Sequence, residues 1–546
     1  MSDATENKET TSSGPAPGAR SQEPRQPSLL RNYVSFVGMA IVAACLTSIA
    51  LLVMVELSSP RENPYTVLVT YILLPSVMGF GIFLILVGMF VERRRRRKNP
   101  DTHIPAYPIL DLNDPSRRRR FLAAICIVFV FLFVSAFGSY RAFEYTESVA
   151  FCGTQCHTVM EPEHVAYQAS PHSNIRCVEC HVGGGADAYF KSKLNGMHQL
   201  YAVTFHTYTK PIETPVKNLR PANETCGACH WPEKFYGEQM KTFNHYAYDE
   251  KNSLNQTRLL INVGGGSPRT GEIGGIHWHM NIANEVTYLA ADDKRQDIPW
   301  VRFRDKDGKI TEYVANGATV SQEMIDRSEK RTMDCVDCHN RPAHIYLTPN
   351  QAVDQALTAG RLDNTLPYIK AKAVEALSGQ YATKDEAAEA IAAKLNEYYR
   401  TTYPDLAASR ADAVGGAVAE VQSLYRTYFF PEMNTNWASH RNNIGHLIGQ
   451  GCFRCHDGQH FSREGQVIRN DCNICHTTLD QTFAGQRVEP QNGLFKHPVN
   501  IGDKNTYQCA MCHKGDRPFQ HPLNLGDISQ FKCADCHSGT YEKVRF

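Results

Sequence analysis

The chain has 546 residues with 57 basic and 56 acidic side chains, a net charge of +1. That balance leaves no cationic excess from which a nucleic-acid partner would be read, and the charge is segregated along the chain rather than accumulated. The length exceeds one ordinary domain, so several parts are expected.

Residues 1–30 are rich in Ser, Pro, Gly, Glu and Gln with hardly any large apolar side chain, and are expected to be disordered. A membrane anchor is predicted over 31–143. Its three apolar runs, 34–55, 65–91 and 121–140, are each long enough to cross a hydrocarbon core of about 30 Å. Pro75 is expected to kink the second. The first run is too long for a signal peptide and starts too late. Direction follows from charge. The 92–120 loop holds ten Lys and Arg; the 56–64 loop holds only Arg61. Basic loops stay in the cytoplasm, so the N-terminus is inside and everything beyond residue 140 lies outside. The same Arg runs could bind a partner or anionic lipid, but their topological role is sufficient. His103 in this loop reads as a solvated side chain.

Eight paired-cysteine motifs follow, each ending in His. The first, Cys152-Gly-Thr-Gln-Cys156-His157, has three residues between its cysteines. The other seven have two: Cys177, Cys180, His181; Cys226, Cys229, His230; Cys335, Cys338, His339; Cys452, Cys455, His456; Cys472, Cys475, His476; Cys509, Cys512, His513; and Cys533, Cys536, His537. C-x-x-C-H is the c-type haem attachment pattern. Two thiols bond the porphyrin vinyls, and the adjacent His lies beneath the iron. Cysteine pairs alone would also suit zinc or disulfides; a His after every pair decides against both. Eight covalently attached c-type haems are expected, or seven if the irregular first motif is unused. The remaining cysteines, Cys45 and Cys126, sit in apolar runs as small hydrophobes. Haem attachment takes place in an oxidising compartment outside the cytoplasm, which agrees with the charge-based orientation.

The first four motifs lie in a predicted domain over 144–346. Cys152 follows Tyr140 by 12 residues, which keeps the first haem within roughly 40 Å of the bilayer even if that linker is extended. Tyr140, Phe143, Tyr145 and Phe151 suit a headgroup-level position. A small β insert is expected from 285–291, 300–304 and 310–314, with a hairpin turn at Asp305-Lys306-Asp307-Gly308. The segment 347–430 has no motif and shows helical spacing at 352–359, 369–377, 385–399 and 406–428. The last four motifs crowd into a domain over 431–546, too dense to build a conventional core without the porphyrins. That domain has an internal repeat: His497 and His521 each stand 12 residues before a motif's first cysteine, as do His440 and His460. A single such His would be a surface residue; four at one offset point to axial ligands, each for its own following haem or a neighbouring one. His446 is left over. Bis-His irons are coordinatively closed and transfer electrons without binding substrate.

The stretch 152–344 resembles the NapC/NirT family of membrane-anchored quinol dehydrogenases. The resemblance rests on Cys152, Cys156, His157 and Met160; on Ser170-Pro171-His172 before Cys177-Val-Glu-Cys180-His181; on Lys193; on Glu224-Thr-Cys226-Gly-Ala-Cys229-His230; and on Cys335-Val-Asp-Cys338-His339-Asn-Arg-Pro-Ala-His344. It implies a tetrahaem module that oxidises menaquinol or ubiquinol and delivers electrons to periplasmic partners. By position it implies that His172 and His344 are distal ligands. It also implies that Met160 belongs to the first haem and that Lys193 belongs to the quinol pocket. Met160 stands one residue further from its motif than the family pattern, and no acidic partner for Lys193 is evident beside His198 and Gln199. The bland alternatives are core packing for Met160 and a solvated Lys193. Gly275-Ile-His277-Trp-His279 offers two more ligand candidates; on a strand they would face the same side, one binding iron and the other lining the pocket. His164, His198, His206 and His245 are spare.

The expected fold is a membrane-anchored multihaem cytochrome c, with three transmembrane α-helices and a mainly α, haem-cored periplasmic domain with little β. The expected function is oxidation of the quinol pool at a bacterial inner membrane and electron delivery to a periplasmic cytochrome or terminal reductase. The alternatives are a terminal reductase of a small nitrogen or sulfur oxyanion and a passive conduit.

Overall fold

The structure is a computed structural model. It describes residues 28–58, 69–98, 112–155, 157–183, 186–216, 219, 221–231, 235–265, 274–280, 284–483, 485–490, 492–497 and 513. Of the stretch 1–30 expected to be disordered, 28–30 is described and enters a turn, Arg31 N–H donating to the Ser28 carbonyl at 3.2 Å. Residues 1–27, His103, Cys156, the side chain of His157, and Cys509, Cys512, His521, Cys533, Cys536 and His537 lie outside the described residues. The chain divides into two compact units, Met1–Glu144 and Tyr145–Phe546.

The first unit holds the apolar runs as helices. Helix α1 spans Tyr33–Ser58, and a π-helical turn, Val69–Leu73, leads into α2, Leu74–Lys98. Pro75 stands second in α2, directly after the π-helical turn, the kind of irregularity a proline imposes on a continuous helical run. Helix α3 spans Pro115–Thr146. Small residues set the α1–α2 contact. A Cβ on Gly38 would lie 2.5 Å from the Gly81 carbonyl oxygen, and one on Gly88 would lie 2.4 Å from Ser35 Oγ. Ser35 Oγ donates to the Ile85 carbonyl at 3.1 Å. Such close backbone approach and polar cross-links hold helices together where lipid removes the hydrophobic drive. Phe83, Leu86 and Phe90 point outward. Among the described residues, Tyr33–Met54 and Leu74–Lys98 are long and apolar enough to cross a membrane. The third predicted run, 121–140, lies inside α3, and some of its side chains fall outside the described residues.

The second unit carries more strand than expected. Nine strands form two antiparallel sheets among the described residues. One has the order β1-β2-β8-β9, built from Glu238–Tyr246, Leu254–Asn262, His476–Phe483 and Gln486–Val488. The other has the order β6-β3-β4-β5-β7, from Arg331–Thr332, Glu285–Leu289, Trp300–Arg304, Ile310–Ala315 and His460–Ser462. The Asp305–Gly308 turn forms as expected, with Gly308 N–H donating to the Asp305 carbonyl at 3.0 Å and Gly308 at φ +81°. Strands of the 431–546 segment complete both sheets begun in 144–346: β8 pairs with β2 and β7 with β5.

The 347–430 segment folds as helices Pro349–Thr358, Ile369–Leu377, Lys384–Thr402, Pro404–Ser409 and Ala411–Tyr428. Thr348 caps the first with a reciprocal Gln351 bond, and Thr383 caps Lys384–Thr402. Ile391, Leu395 and Tyr399 recur every four residues and are fully buried against Val353, Ile369 and Val421. One ion pair is buried in this core: Lys370 Nζ lies 2.7 Å from Asp354 Oδ1, with the Lys370 side chain 1% exposed. Asp354 also accepts from Tyr246 N–H at 2.9 Å, tying β1 to the helices.

Candidate haem centres

The regular motif folds as one helical turn. Cys177–His181 and Cys335–Cys338 are short helices. His230 N–H donates to the Cys226 carbonyl at 2.7 Å, His339 N–H to Cys335 at 2.8 Å and His456 N–H to Cys452 at 3.0 Å. In such a turn the residues at i, i+3 and i+4 share a face, so both sulfurs and the imidazole address one side. The first motif has one residue more, and the chain absorbs it by ending one helix at Thr154 and starting the next at His157.

Six histidines of regular motifs each face a second histidine. The ring centres are 6.1 Å apart for His181 and His344, 6.1 Å for His230 and His172, and 6.3 Å for His339 and His277. They are 5.7 Å apart for His456 and His279, 6.1 Å for His476 and His446, and 6.2 Å for His513 and His497. Two metal–nitrogen bonds of about 2 Å, with about 1 Å from each nitrogen to its ring centre, give about 6 Å across an iron. The six pairs therefore fit bis-His haem ligation.

Hydrogen bonding selects the tautomer. The Nδ1 atoms lie on backbone carbonyls: His172 on Pro342 at 3.0 Å, His344 on Glu163 at 2.9 Å, His277 on Val263 at 2.8 Å and His279 on Ile276 at 3.0 Å. A carbonyl accepts only from N–H, so Nε2 is left as the lone-pair nitrogen a metal needs. Burial holds His279, His446, His456 and His476 below the ordinary imidazole range, favouring the neutral, ligating form. Burial also pushes the free thiols of Cys338 to about 11 and Cys455 to about 12. Those surroundings prefer uncharged sulfur, as in a thioether, over a thiolate. Cys177 and Cys335 fall to about 7 because each accepts a hydrogen bond from a thiol of another motif, Cys152 and Cys226 respectively.

The 12-residue offset divides. His497 faces the His of its own following motif. His440 and His460 face no motif histidine among the described residues. His460 spends both ring nitrogens, Nδ1 on Asp457 at 2.9 Å and Nε2 on the Ile298 carbonyl at 2.8 Å. His440 is buried against Tyr346, its Nδ1 on Ser439 Oγ at 3.0 Å and its Nε2 3.9 Å from Glu163. The places facing His456 and His476 are taken by His279 and His446 instead. His277 and His279 sit on a 3₁₀ turn, Ile276–Met280, and not on a strand, so they diverge.

The expected quinol residues lie around the first motif. Lys193 Nζ is 3.3 Å from Glu147 Oε1 and 3.5 Å from Thr146 Oγ1, and the Lys193 and Glu147 charges both act on Cys152. Glu147 supplies the acidic partner missing from the sequence reading. It precedes the motif, far from Lys193 in the chain, and no local pattern marks it. Met160 is half-buried three residues after His157 on the same helix. His164 packs on Gly153, where a Cβ would lie 2.3 Å from its Cδ2. His198 and His206 are exposed. His245 lies 3.3 Å from Asp354.

Adjoining motifs touch. Besides Cys152 with Cys177 and Cys226 with Cys335, the fourth and fifth are bonded through residues between their cysteines. Arg454 Nη2 donates to the Asp337 carbonyl at 2.7 Å. The Asp337 carboxylate is buried and accepts from Tyr288 Oη and Arg331 Nε, each at 2.7 Å.

The model of the NapC/NirT cytochrome c family, N-terminal region, matches residues 114–217. Cytochrome c-type protein ImcH of Geobacter sulfurreducens is 43% identical over 488 residues, 89% of this chain and 95% of that protein. Cytochrome c-type protein NrfH of Wolinella succinogenes is 30% identical over 102 residues, 18% of this chain and 57% of that protein. No solved structure matches.

Proposed function

Since the chain belongs to the NapC/NirT family of c-type cytochromes, we propose that it oxidises quinol from the bilayer and passes the electrons to acceptors in the periplasm. The observation that carries the electron-transfer part is the set of six histidine pairs about 6 Å apart. When bound, the haems supply reversible one-electron acceptance and release. The chain provides paired imidazoles, burial that favours uncharged sulfur at Cys338 and Cys455, and motif-to-motif contacts that keep the centres close. Irons closed on both faces leave little room for a substrate, which speaks against a terminal reductase at these six centres.

The quinol part rests on Glu147 and Lys193 beside Cys152. Oxidation of one quinol releases two protons and two electrons. Glu147, with its side chain 11% exposed, is placed to take a hydroxyl proton. Lys193 is placed to hold the oxygen on which negative charge develops. In this reading α3 carries the chain outward through the membrane, the haem-bearing unit is periplasmic, and protons and electrons leave quinol on the same side. The step then moves no net charge across the bilayer.

The test is reduction of the purified, detergent-held protein by a short-chain quinol. The haem absorbance should change at once. Glu147→Gln should slow it by about 10²–10⁴-fold while dithionite still reduces every haem. Complete reduction by dithionite with none by any quinol would overturn the quinol assignment and leave a conduit.

A further inference from the structure

We propose that the turn Ile276–Met280 is a double ligand bridge: His277 completes the haem centre of the fourth motif and His279 that of the fifth. The proposal rests on the c-type haem reading and extends it to one specific junction.

The turn's geometry separates the two rings. A 3₁₀ helix has about three residues per turn, so side chains at i and i+2 diverge by about 120°. The His277 and His339 rings have centres 6.3 Å apart and planes 3° from parallel. His279 lies edge-on to His456, centres 5.7 Å apart and planes at 90°. Each ring's Nδ1 is held by a backbone carbonyl, which leaves both Nε2 atoms for iron.

The turn itself is fixed. Gly275 is at φ +83°, and a Cβ there would lie 2.7 Å from Gly264 Cα and N. Only glycine permits this approach, and it lets His277 N–H reach the Gly264 carbonyl at 3.0 Å. Trp278, between the two histidines, packs on Phe303 with centres 4.9 Å apart and belongs to the core around Val286, Tyr288 and Val301.

The motifs that supply the opposite ligands are joined independently. Arg454, inside the fifth, donates to the carbonyls of Asp337, inside the fourth, and of Arg295, at 2.7 and 2.8 Å. Asn443 Nδ2 reaches the Asp337 carbonyl at 3.2 Å. Two proximal histidines on bonded segments thus meet two distal histidines on one five-residue turn. The junction joins the four N-terminal centres to the C-terminal ones. With haems bound, it would pass one electron from a reduced fourth centre to an oxidised fifth, with no atom or proton transferred. His440, which stands at the 12-residue offset before Cys452, lies against Tyr346, and the ring facing His456 is that of His279.

The experiment uses the full-length holoprotein with His279→Gly, His277→Gly and His440→Gly. Intact mass counts attached haems and tests the underlying reading: an unmodified polypeptide would remove that reading itself. With haems attached, EPR and magnetic circular dichroism count low-spin and high-spin irons. His279→Gly should convert one low-spin centre to high-spin, and added imidazole should restore it. His277→Gly should convert a different one, and His440→Gly none. An unchanged count in His279→Gly, or a loss that follows His440→Gly, would overturn the bridge. If His279→Gly fails to accumulate, His279→Met serves. A change in the potential and ligand-band position of one centre supports the proposal; unchanged spectra refute it.

Discussion

Replacing Asp354 by Asn keeps the side chain's shape and removes one charge of the buried pair with Lys370. The ammonium is 1% exposed and 2.7 Å from the carboxylate. Its other contacts are the Asn350 carbonyl at 2.8 Å and the face of Tyr248 at 5.7 Å. Breaking a buried pair at one partner costs about 3–5 kcal/mol. A ceiling exists, because Lys370 can shed its proton instead. From an ordinary value near 10.4, deprotonation at pH 7 costs about 5 kcal/mol. Burial already holds Lys370 below the usual lysine range, with Asp354 opposing. Without Asp354 the folded value falls further, so the unfolded state binds more protons. Stability of the variant should then rise with pH, by up to about 1.4 kcal/mol per unit between pH 7 and 10. Hydrogen exchange in peptides from Lys384–Thr402 and Ala411–Tyr428 reads this core alone. Adding Lys370→Met to Asp354→Asn should restore most of the loss. A cost under about 1 kcal/mol with no pH dependence would refute a buried ammonium at this place.

His440 should make the unit acid-sensitive. Its imidazole is held at about 4 by burial and by Arg341. As pH falls from 6.5 to 4 the unfolded state takes up a proton that the folded state refuses, and stability drops by up to about 3 kcal/mol. His440→Gln should flatten that part of the pH profile of the urea midpoint. Gly275→Ala should strain the 276–280 turn by about 1–3 kcal/mol and disturb the low-spin EPR signals of the fourth and fifth centres together, leaving the rest in place.

The haem motifs were legible because attachment is local. Cys, Cys and His within five residues make one helical turn, and no distant residue is needed to recognise it. The apolar runs and the helices of 347–430 were legible for a similar reason, since an apolar face, or apolar residues all round, write a pattern into the chain. The strands were only partly so. Glu238–Tyr246 has no buried face, so no alternation betrays it. Its sheet is completed by His476–Phe483, more than two hundred residues away.

The chain's own order of residues determined how many Cys-Cys-His motifs there are, where they lie and which segments are long apolar runs. Tertiary structure decided which imidazoles face each other. His440, His446 and His460 are near neighbours in the same stretch, yet among the described residues only His446 faces a motif histidine. The difference lies in what each ring meets: Asp457 and a carbonyl take both nitrogens of His460, and Tyr346 and Glu163 enclose His440. Ligand pairing joins distant positions through space, and a hydrogen bond to one ring nitrogen leaves the other for metal only after folding has chosen the partner.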